Sequence, residues 1–193
     1  RGIALKKTIK LEIMTIVHGQ SEYKLCTSIK SNLRIILEII ARNKGKSSIQ
    51  ITSIMDVLNG QAFKTLQAFK RKYSDVKVYK GKLIDFKLFI IMDVDDCTEE
   101  QKKAFCNKSM FKDHWLYDYI VPIYNRPNLE ETMRQIGINV QKKSDYITIF
   151  PTNHGDLDMS MAKSFYDKLA SCKCSNLDEY VNSCIDVAQK YKM

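Results

Sequence analysis

The stretch Phe86–Met92 (FKLFIIM), followed at once by Asp93–Asp96 (DVDD), decides the fold of this chain. An almost continuous apolar run of this length is typical of a strand that is buried on both faces, as in parallel sheets covered by helices. The run ends abruptly in a group of carboxylates. We therefore predict a central parallel strand whose carboxyl end carries acidic side chains.

A second apolar, β-branched run, Ile9–Val17, ends at His18-Gly19 and predicts another buried strand. Ser21 is then expected to cap a long helix over residues 21–42, because apolar residues recur there at helical spacing. The apolar positions of that helix are Leu25, Ile29, Leu33, Ile36 and Ile40. The chain thus predicts a strand, a glycine turn and a long helix.

The rest of the chain alternates between short strand patterns and helix patterns. Strands are predicted at 49–52, 76–79, 119–124 and 146–150, and helices at 53–59, 61–72, 98–107, 129–136, 157–170 and 177–191. Thr98 and Asn128 are the expected N-caps of two of these helices. The alternation predicts an α/β fold with a mostly parallel sheet flanked by helices. We expect residues 1–150 to form this domain and residues 151–193 to form a C-terminal helical hairpin packed on it.

The charge of the chain is distributed unevenly. The net charge is +9, but residues 1–87 hold 18 Lys and Arg against 6 Asp and Glu, whereas residues 88–193 hold 13 against 16. A basic half suggests an anionic partner, most simply nucleic acid. The alternative is a solvated lysine surface with no particular partner.

The six cysteines include no C-x-x-C pair, and no secretory segment or long apolar run occurs in the sequence. These features predict a cytoplasmic protein with reduced thiols and no membrane span. The sequence leaves the roles of the cysteines open.

The candidate functional side chains follow two of the predicted strands. The carboxyl ends of parallel strands meet at one edge of a sheet, which places His18–Glu22 near Asp93–Asp96. Asp93 and Asp95 are expected on one side of the strand end, where two carboxylates repel unless a cation neutralises them. Hard oxygen ligands suit Mg²⁺ or Mn²⁺. The alternative is that Asp95 and Asp96 are turn residues and helix caps.

A strand that ends in a Gly-x-x-acid turn before a long helix, followed by a later buried strand that ends in Asp-x-Asp, resembles the TOPRIM domain. That domain occurs in bacterial primases, type IA topoisomerases, and OLD-type and RloB-like phage-defence proteins. The resemblance covers about residues 9–150. In the family pattern Glu-Gly-x-x-Asp/Glu, His18 stands in place of the first Glu and Glu22 occupies the second acidic position. Asp93 and Asp95 match the metal-binding pair of the family's Asp-x-Asp motif.

The resemblance implies a divalent-metal-dependent nuclease or related phosphoryl-transfer enzyme that acts on DNA or RNA in phage defence. It implies that Asp93, Asp95 and Glu22 hold Mg²⁺ or Mn²⁺, and that His18 and Glu22 are catalytic. Basic side chains would then hold the phosphate backbone. The candidates for that role are Lys24, Lys30, Arg34, Arg42, Lys44, Lys46 and Arg126.

Two other functions stay open at this point. His18 adds no negative charge, which weakens Mg²⁺ retention and is compatible with an inactive TOPRIM-like module that binds nucleic acid or a protein partner, including a second copy of the chain. The same strand ends could also bind a nucleotide or another small molecule. His154, in the turn Asn153-His154-Gly155, is either a further base or ligand of the site or part of a turn.

Overall fold

The computed structural model describes residues 9–150 and 159–192. Its centre is a four-stranded sheet of β1 (Ile13–Val17), β2 (Leu37–Ile40), β5 (Lys87–Asp93) and β6 (Ile120–Asn125), in the order β2-β1-β5-β6. Every neighbouring pair is parallel. All four strands therefore end at one edge, here called the carboxyl edge, and begin at the opposite, amino edge.

Helices surround this sheet, and a small hairpin lies beside it. The helices are α1 (Gln20–Leu33), α2 (Ile54–Leu58), α3 (Leu66–Lys72), α4 (Glu99–Cys106), α5 (Leu129–Gln135), α6 (Met159–Ala170) and α7 (Leu177–Lys192). Strands β3 (Val78–Tyr79) and β4 (Lys82–Leu83) form an antiparallel hairpin outside the main sheet. The predicted α/β class, with a mostly parallel sheet and C-terminal helices, is confirmed.

The strands are apolar on both faces because each face is covered. Phe89 and Ile91 of β5 belong to one core, together with Leu25 of α1, while Leu88 and Ile90 belong to a second core on the opposite face. Helices α6 and α7 contribute buried side chains to the first core, among them Tyr180, whose ring meets Phe89 edge-on. The C-terminal helices thus pack on the same core as the sheet.

The prediction of one helix over residues 21–42 is wrong in its second half. Helix α1 ends at Leu33 because Arg34 adopts a left-handed conformation (φ 51°). Residues 37–40 then form β2, which pairs with β1. Ile36 and Ile40 follow the helical spacing by coincidence, since a β-branched run with a neighbouring strand available gains ladder hydrogen bonds. The N-cap is Gly19 rather than Ser21.

Two predicted strands are absent from the places where they were expected. Ile51–Ser53 and Lys143–Thr148 are short 3₁₀ segments. Ile51, Tyr146 and Phe150 are nevertheless buried, so the apolar pattern correctly indicated burial but not strand pairing. The predicted strand at 76–79 belongs to the β3–β4 hairpin, whereas those near 87–92 and 119–124 belong to the main sheet.

The expected helix caps are present. The Thr98 hydroxyl accepts a hydrogen bond from the backbone N–H of Gln101, and the Asn128 side chain accepts one from Glu131. The start of the predicted helix at 157–170, and His154, lie outside the described residues. Across 9–150 and 159–192, no helix combines the length and apolar character that crossing a membrane requires.

Candidate functional site

His18 and Asp93 meet at the carboxyl edge because β1 and β5 are neighbours with Val17 opposite Ile91. The His18 Nε2 atom lies 4.0 Å from Asp93 Oδ2. The other ring nitrogen, Nδ1, lies 3.0 Å from the carbonyl oxygen of Ile49. A carbonyl can only accept, so this contact requires Nδ1 to carry a proton. In the neutral ring, the Nε2 that faces Asp93 is then the basic nitrogen.

Glu22 lies in the first turn of α1 with its side chain turned back over the helix start. Its Oε2 accepts a hydrogen bond of 3.0 Å from the backbone N–H of Gly19, which the glycine turn presents to it. The residue is 2% exposed, and its Oε1 has no hydrogen-bond partner among the described residues. Burial raises the pKa of Glu22, and the negative charge of Glu130 raises it further, whereas a positive charge on His18 lowers it.

Asp93 is held at the end of β5 by the start of α5. Its Oδ1 accepts a hydrogen bond of 3.0 Å from the backbone N–H of Leu129. Burial, together with the charges of Glu22, Glu130 and Asp95, raises the pKa of Asp93 to about 9. The carboxyl group is therefore neutral at pH 7 in the protein without a cation.

Asp95 is exposed, and its Oδ2 accepts a hydrogen bond of 3.3 Å from the side-chain amide of Asn128. Both aspartates of the predicted metal pair thus contact the start of α5. Asp95 therefore makes a contact of the kind expected from a turn residue, which is the alternative that the sequence raised for it.

Two residues that sequence reasoning did not identify, Glu130 and Tyr146, join the site. Glu130, in the first turn of α5, accepts a hydrogen bond of 2.8 Å from the Ser21 hydroxyl. Tyr146 is fully buried, and its hydroxyl has no partner among the described residues. Burial raises the pKa of Tyr146, and the charges of Glu130, Glu22 and Asp93 raise it further. We call Glu22, Asp93, Asp95 and Glu130 the acidic cluster.

The donors of the acidic cluster suit a hard divalent cation in kind, since all are carboxylate oxygens. The unpartnered Glu22 Oε1 is the strongest sign of a missing positive group, because a buried acceptor without a donor is costly. In their present arrangement, however, no group of three or more His, Cys, Asp or Glu side chains among residues 9–150 and 159–192 could hold a metal ion. Binding would therefore require side-chain movement in the cluster.

Several of the predicted phosphate-binding residues do lie near this edge. Arg42, Lys44 and Lys46 are exposed on the loop that follows β2. That loop packs tightly against the start of α1, because a Cβ on Gly45 (φ +85°) would come within 2.6 Å of the Gln20 Cα. Only a glycine fits this contact, so the loop and its cations are held beside the glycine turn of β1.

Lys24 and Arg126 also lie toward the carboxyl edge. Lys24 is half-buried in the first half of α1. Arg126 follows β6, with its guanidinium 4.4 Å from the centre of the Tyr124 ring and Nη2 3.9 Å from Cys106 Sγ. The Arg126 side chain is therefore engaged on the side of α4.

Lys30 and Arg34 are not brought to the site. Lys30 is in the last turn of α1 and Arg34 follows its end. Since α1 runs back from the carboxyl edge toward the start of β2, its rise of about 1.5 Å per residue carries them about 15–20 Å from the glycine turn. That they bind a phosphate backbone stays a prediction.

Comparisons with protein-family models, with curated proteins and with solved structures find no match to this chain. The TOPRIM resemblance therefore rests only on the pattern of the two strand ends, with Gly19, Glu22, Asp93 and Asp95. What it implies about metal, chemistry and pathway stays a prediction.

Proposed function

We propose that this protein is a divalent-metal-dependent phosphodiesterase acting on nucleic acid, with Glu22, Asp93 and Asp95 as ligands of Mg²⁺ or Mn²⁺. The observation that carries the proposal is the buried Glu22 Oε1 without a donor, beside an Asp93 whose pKa burial and neighbouring carboxylates raise to about 9. A cation would supply the missing positive charge and displace the proton from Asp93. Glu130 would add a fourth carboxylate.

The bound cation would supply Lewis-acid polarisation of a phosphoryl oxygen and a lower pKa for a coordinated water. The chain's own residues contribute position and proton transfer. Ile49 orients the His18 ring, which leaves Nε2 facing Asp93 and available to accept a proton from water. Arg42, Lys44 and Lys46 would hold the phosphates that flank the scissile bond.

The second candidate is a catalytically inactive module that binds nucleic acid or a protein partner. The observations that favour it are His18 in place of the usual acid and the contacts of Asp93 and Asp95 with the start of α5. A cytoplasmic location and a role in phage defence belong to both candidates as proposals, drawn from the sequence and its resemblance.

The test combines cleavage with metal binding. Labelled single-stranded DNA, duplex DNA and RNA are incubated with Mn²⁺, Mg²⁺ or EDTA, and Mn²⁺ binding is titrated by calorimetry. Asp93→Asn keeps the hydrogen bond to Leu129 but removes the ligand charge, and we expect it to lower cleavage about 100-fold or more. We also expect proton release on Mn²⁺ binding to the wild type.

Asp96→Asn is the matched control, because it removes an exposed carboxylate from the same turn. Equal cleavage by the wild type and Asp93→Asn would overturn the catalytic proposal. If the protein binds nucleic acid but neither cleaves it nor binds Mn²⁺, the inactive module is favoured.

A further inference from the structure

A concentrated set of unpaired cations lies outside the candidate site. Residues 64–82 contain seven Lys and Arg but only one carboxylate, Asp75, which accounts for much of the net charge of +9. The cations are Lys64, Lys70, Arg71, Lys72, Lys77, Lys80 and Lys82, and all are exposed. No ion pair found among the described residues includes any of them. We call this set, with Tyr79, the basic face.

Tyr79 is the aromatic centre of the basic face. It is 61% exposed, the highest value among the exposed large apolar side chains of the described residues. The residue sits at the end of β3, just before the turn formed by Lys80 and Gly81, both with positive φ. The Lys80 Nζ atom lies 5.3 Å from the Tyr79 ring centre. An aromatic ring raised on a tight turn and flanked by lysines is a typical stacking platform for a base.

The hairpin that carries Tyr79 is firmly anchored. Leu83 of β4 is buried, and its backbone N–H donates a hydrogen bond of 3.1 Å to the Tyr119 hydroxyl. The backbone N–H of Ile84 donates to the carbonyl of Lys77 at 2.9 Å. The exposed ring is thus held on a fixed support, which lowers the entropy cost of binding.

The basic face extends along α3 as a groove. A surface groove of about 860 Å³ runs beside this helix and is lined by Lys64, Arg71 and Lys72 together with both polar and apolar side chains. The chain from 49 to 75 crosses the sheet, because Ile49 bonds to His18 at the carboxyl edge and Asp75 bonds to Leu11 ahead of β1. The cations of α3 therefore lie between the edge that bears the acidic cluster and the hairpin.

We propose that α3 and the β3–β4 hairpin bind single-stranded nucleic acid, with the cations on phosphates and the Tyr79 ring stacked on a base. Stacking requires a base whose face is free, which a single strand offers and a continuous duplex does not. The proposal deepens the proposed function and rests on it for the class of partner. Binding of a single strand does not require a metal ion, so this proposal can be tested separately from metal-dependent cleavage.

The experiment measures binding of a labelled single-stranded DNA of about 20 nucleotides by fluorescence anisotropy in EDTA, over about 0.05–0.2 M salt. Tyr79→Ala is expected to weaken binding about 5- to 150-fold, the range measured for loss of one stacked base. Tyr79→Phe keeps the stacking ring and should remain within about twofold of the wild type. Because Tyr79 is exposed, neither change disturbs the core.

A triple variant, Lys77→Ala with Lys80→Ala and Lys82→Ala, is expected to reduce the slope of log K against log salt by about 2. Lys112→Ala, which removes an exposed lysine from the segment after α4, is the matched control and should leave the slope nearly unchanged. The weakening caused by Tyr79→Ala should be as large in EDTA as in Mn²⁺. That result separates this surface from the metal site even if no cleavage is found.

Unchanged binding by Tyr79→Ala would overturn the proposal. So would tighter binding to a duplex of the same sequence that does not depend on Tyr79. Binding only to phosphatidylserine vesicles, with none to single strands, would overturn it in favour of a membrane surface.

Discussion

Replacing Asp93 by Asn measures what burial of this carboxylate, together with the charges of its neighbours, costs the folded protein. The substitution keeps an acceptor for the Leu129 N–H and almost the same volume, but it removes the ionisable group. In the folded protein, burial and the charges of Glu22, Glu130 and Asp95 raise the pKa of Asp93 to about 9. In the unfolded chain the pKa of an aspartate is about 3.9.

Between these two pKa values the folded state keeps a proton that the unfolded state has released. The stability of the wild type must therefore fall as pH rises, by at most about 1.4 kcal/mol per pH unit for one proton. From pH 5 to pH 8 the upper limit is about 4 kcal/mol. The Asp93 side chain is 9% exposed, so water screens part of the repulsion, and we expect a fall of about 1–3 kcal/mol. Asp93→Asn loses this contribution and becomes the more stable protein at pH 8.

Urea unfolding in EDTA at pH 5, 6, 7 and 8 is the assay. Trp115, the single tryptophan, reports unfolding by fluorescence, since its indole N–H donates to the Phe63 carbonyl at 2.6 Å in the folded protein. Asp96→Asn serves as the control for removing one charge from the same turn. An identical pH slope in the wild type and Asp93→Asn would refute the reasoning. Saturating Mn²⁺ should reverse the order of stability at pH 8 if the proposed metal site exists.

Two other predictions concern packing and thiol chemistry. Gly45→Ala should lower the free energy of unfolding by about 2–4 kcal/mol, because the added Cβ would meet backbone atoms. Gly81→Ala should lower it by only about 1 kcal/mol, because Gly81 (φ +74°) has no atom within 4 Å of the added Cβ. Equal losses of stability in urea unfolding would contradict this prediction. The Sγ atoms of Cys172 and Cys174 lie 2.9 Å apart, so glutathione disulfide should oxidise the pair to an internal disulfide and leave two glutathione thiols. Mass spectrometry should show the loss of two hydrogen atoms, which Cys172→Ser should abolish; a stable mixed disulfide instead would contradict the prediction.

The charge pattern illustrates how far the sequence leads. The excess of cations in the first half predicted an anionic partner, and most of the residues chosen for that role were those nearest the glycine turn in the sequence. The basic face lies farther along the chain, at 64–82, and its distinguishing feature is the exposure of Tyr79. Whether an aromatic side chain such as Tyr79 is exposed depends on whether other elements of the fold cover it, and the local sequence does not predict that.

The sequence by itself determined the buried strand β5 with its acidic end, the turn His18-Gly19 before α1, and the caps at Thr98 and Asn128. These features depend on neighbours in the chain: continuous apolar residues, a glycine, and side-chain oxygens placed to accept from a helix start. The α/β class follows from their alternation.

Only the tertiary structure decided which apolar runs pair as strands and which carboxylates meet. Residues 37–40 are a strand because β1 lies beside them, and Tyr146 is buried without joining any strand. Glu130 reaches the site through Ser21, which is 109 positions away in the chain. Local periodicity indicates whether a residue is buried. Hydrogen-bond partners, and the burial and neighbouring charges that raise the pKa of Asp93, arise only when distant segments are packed together.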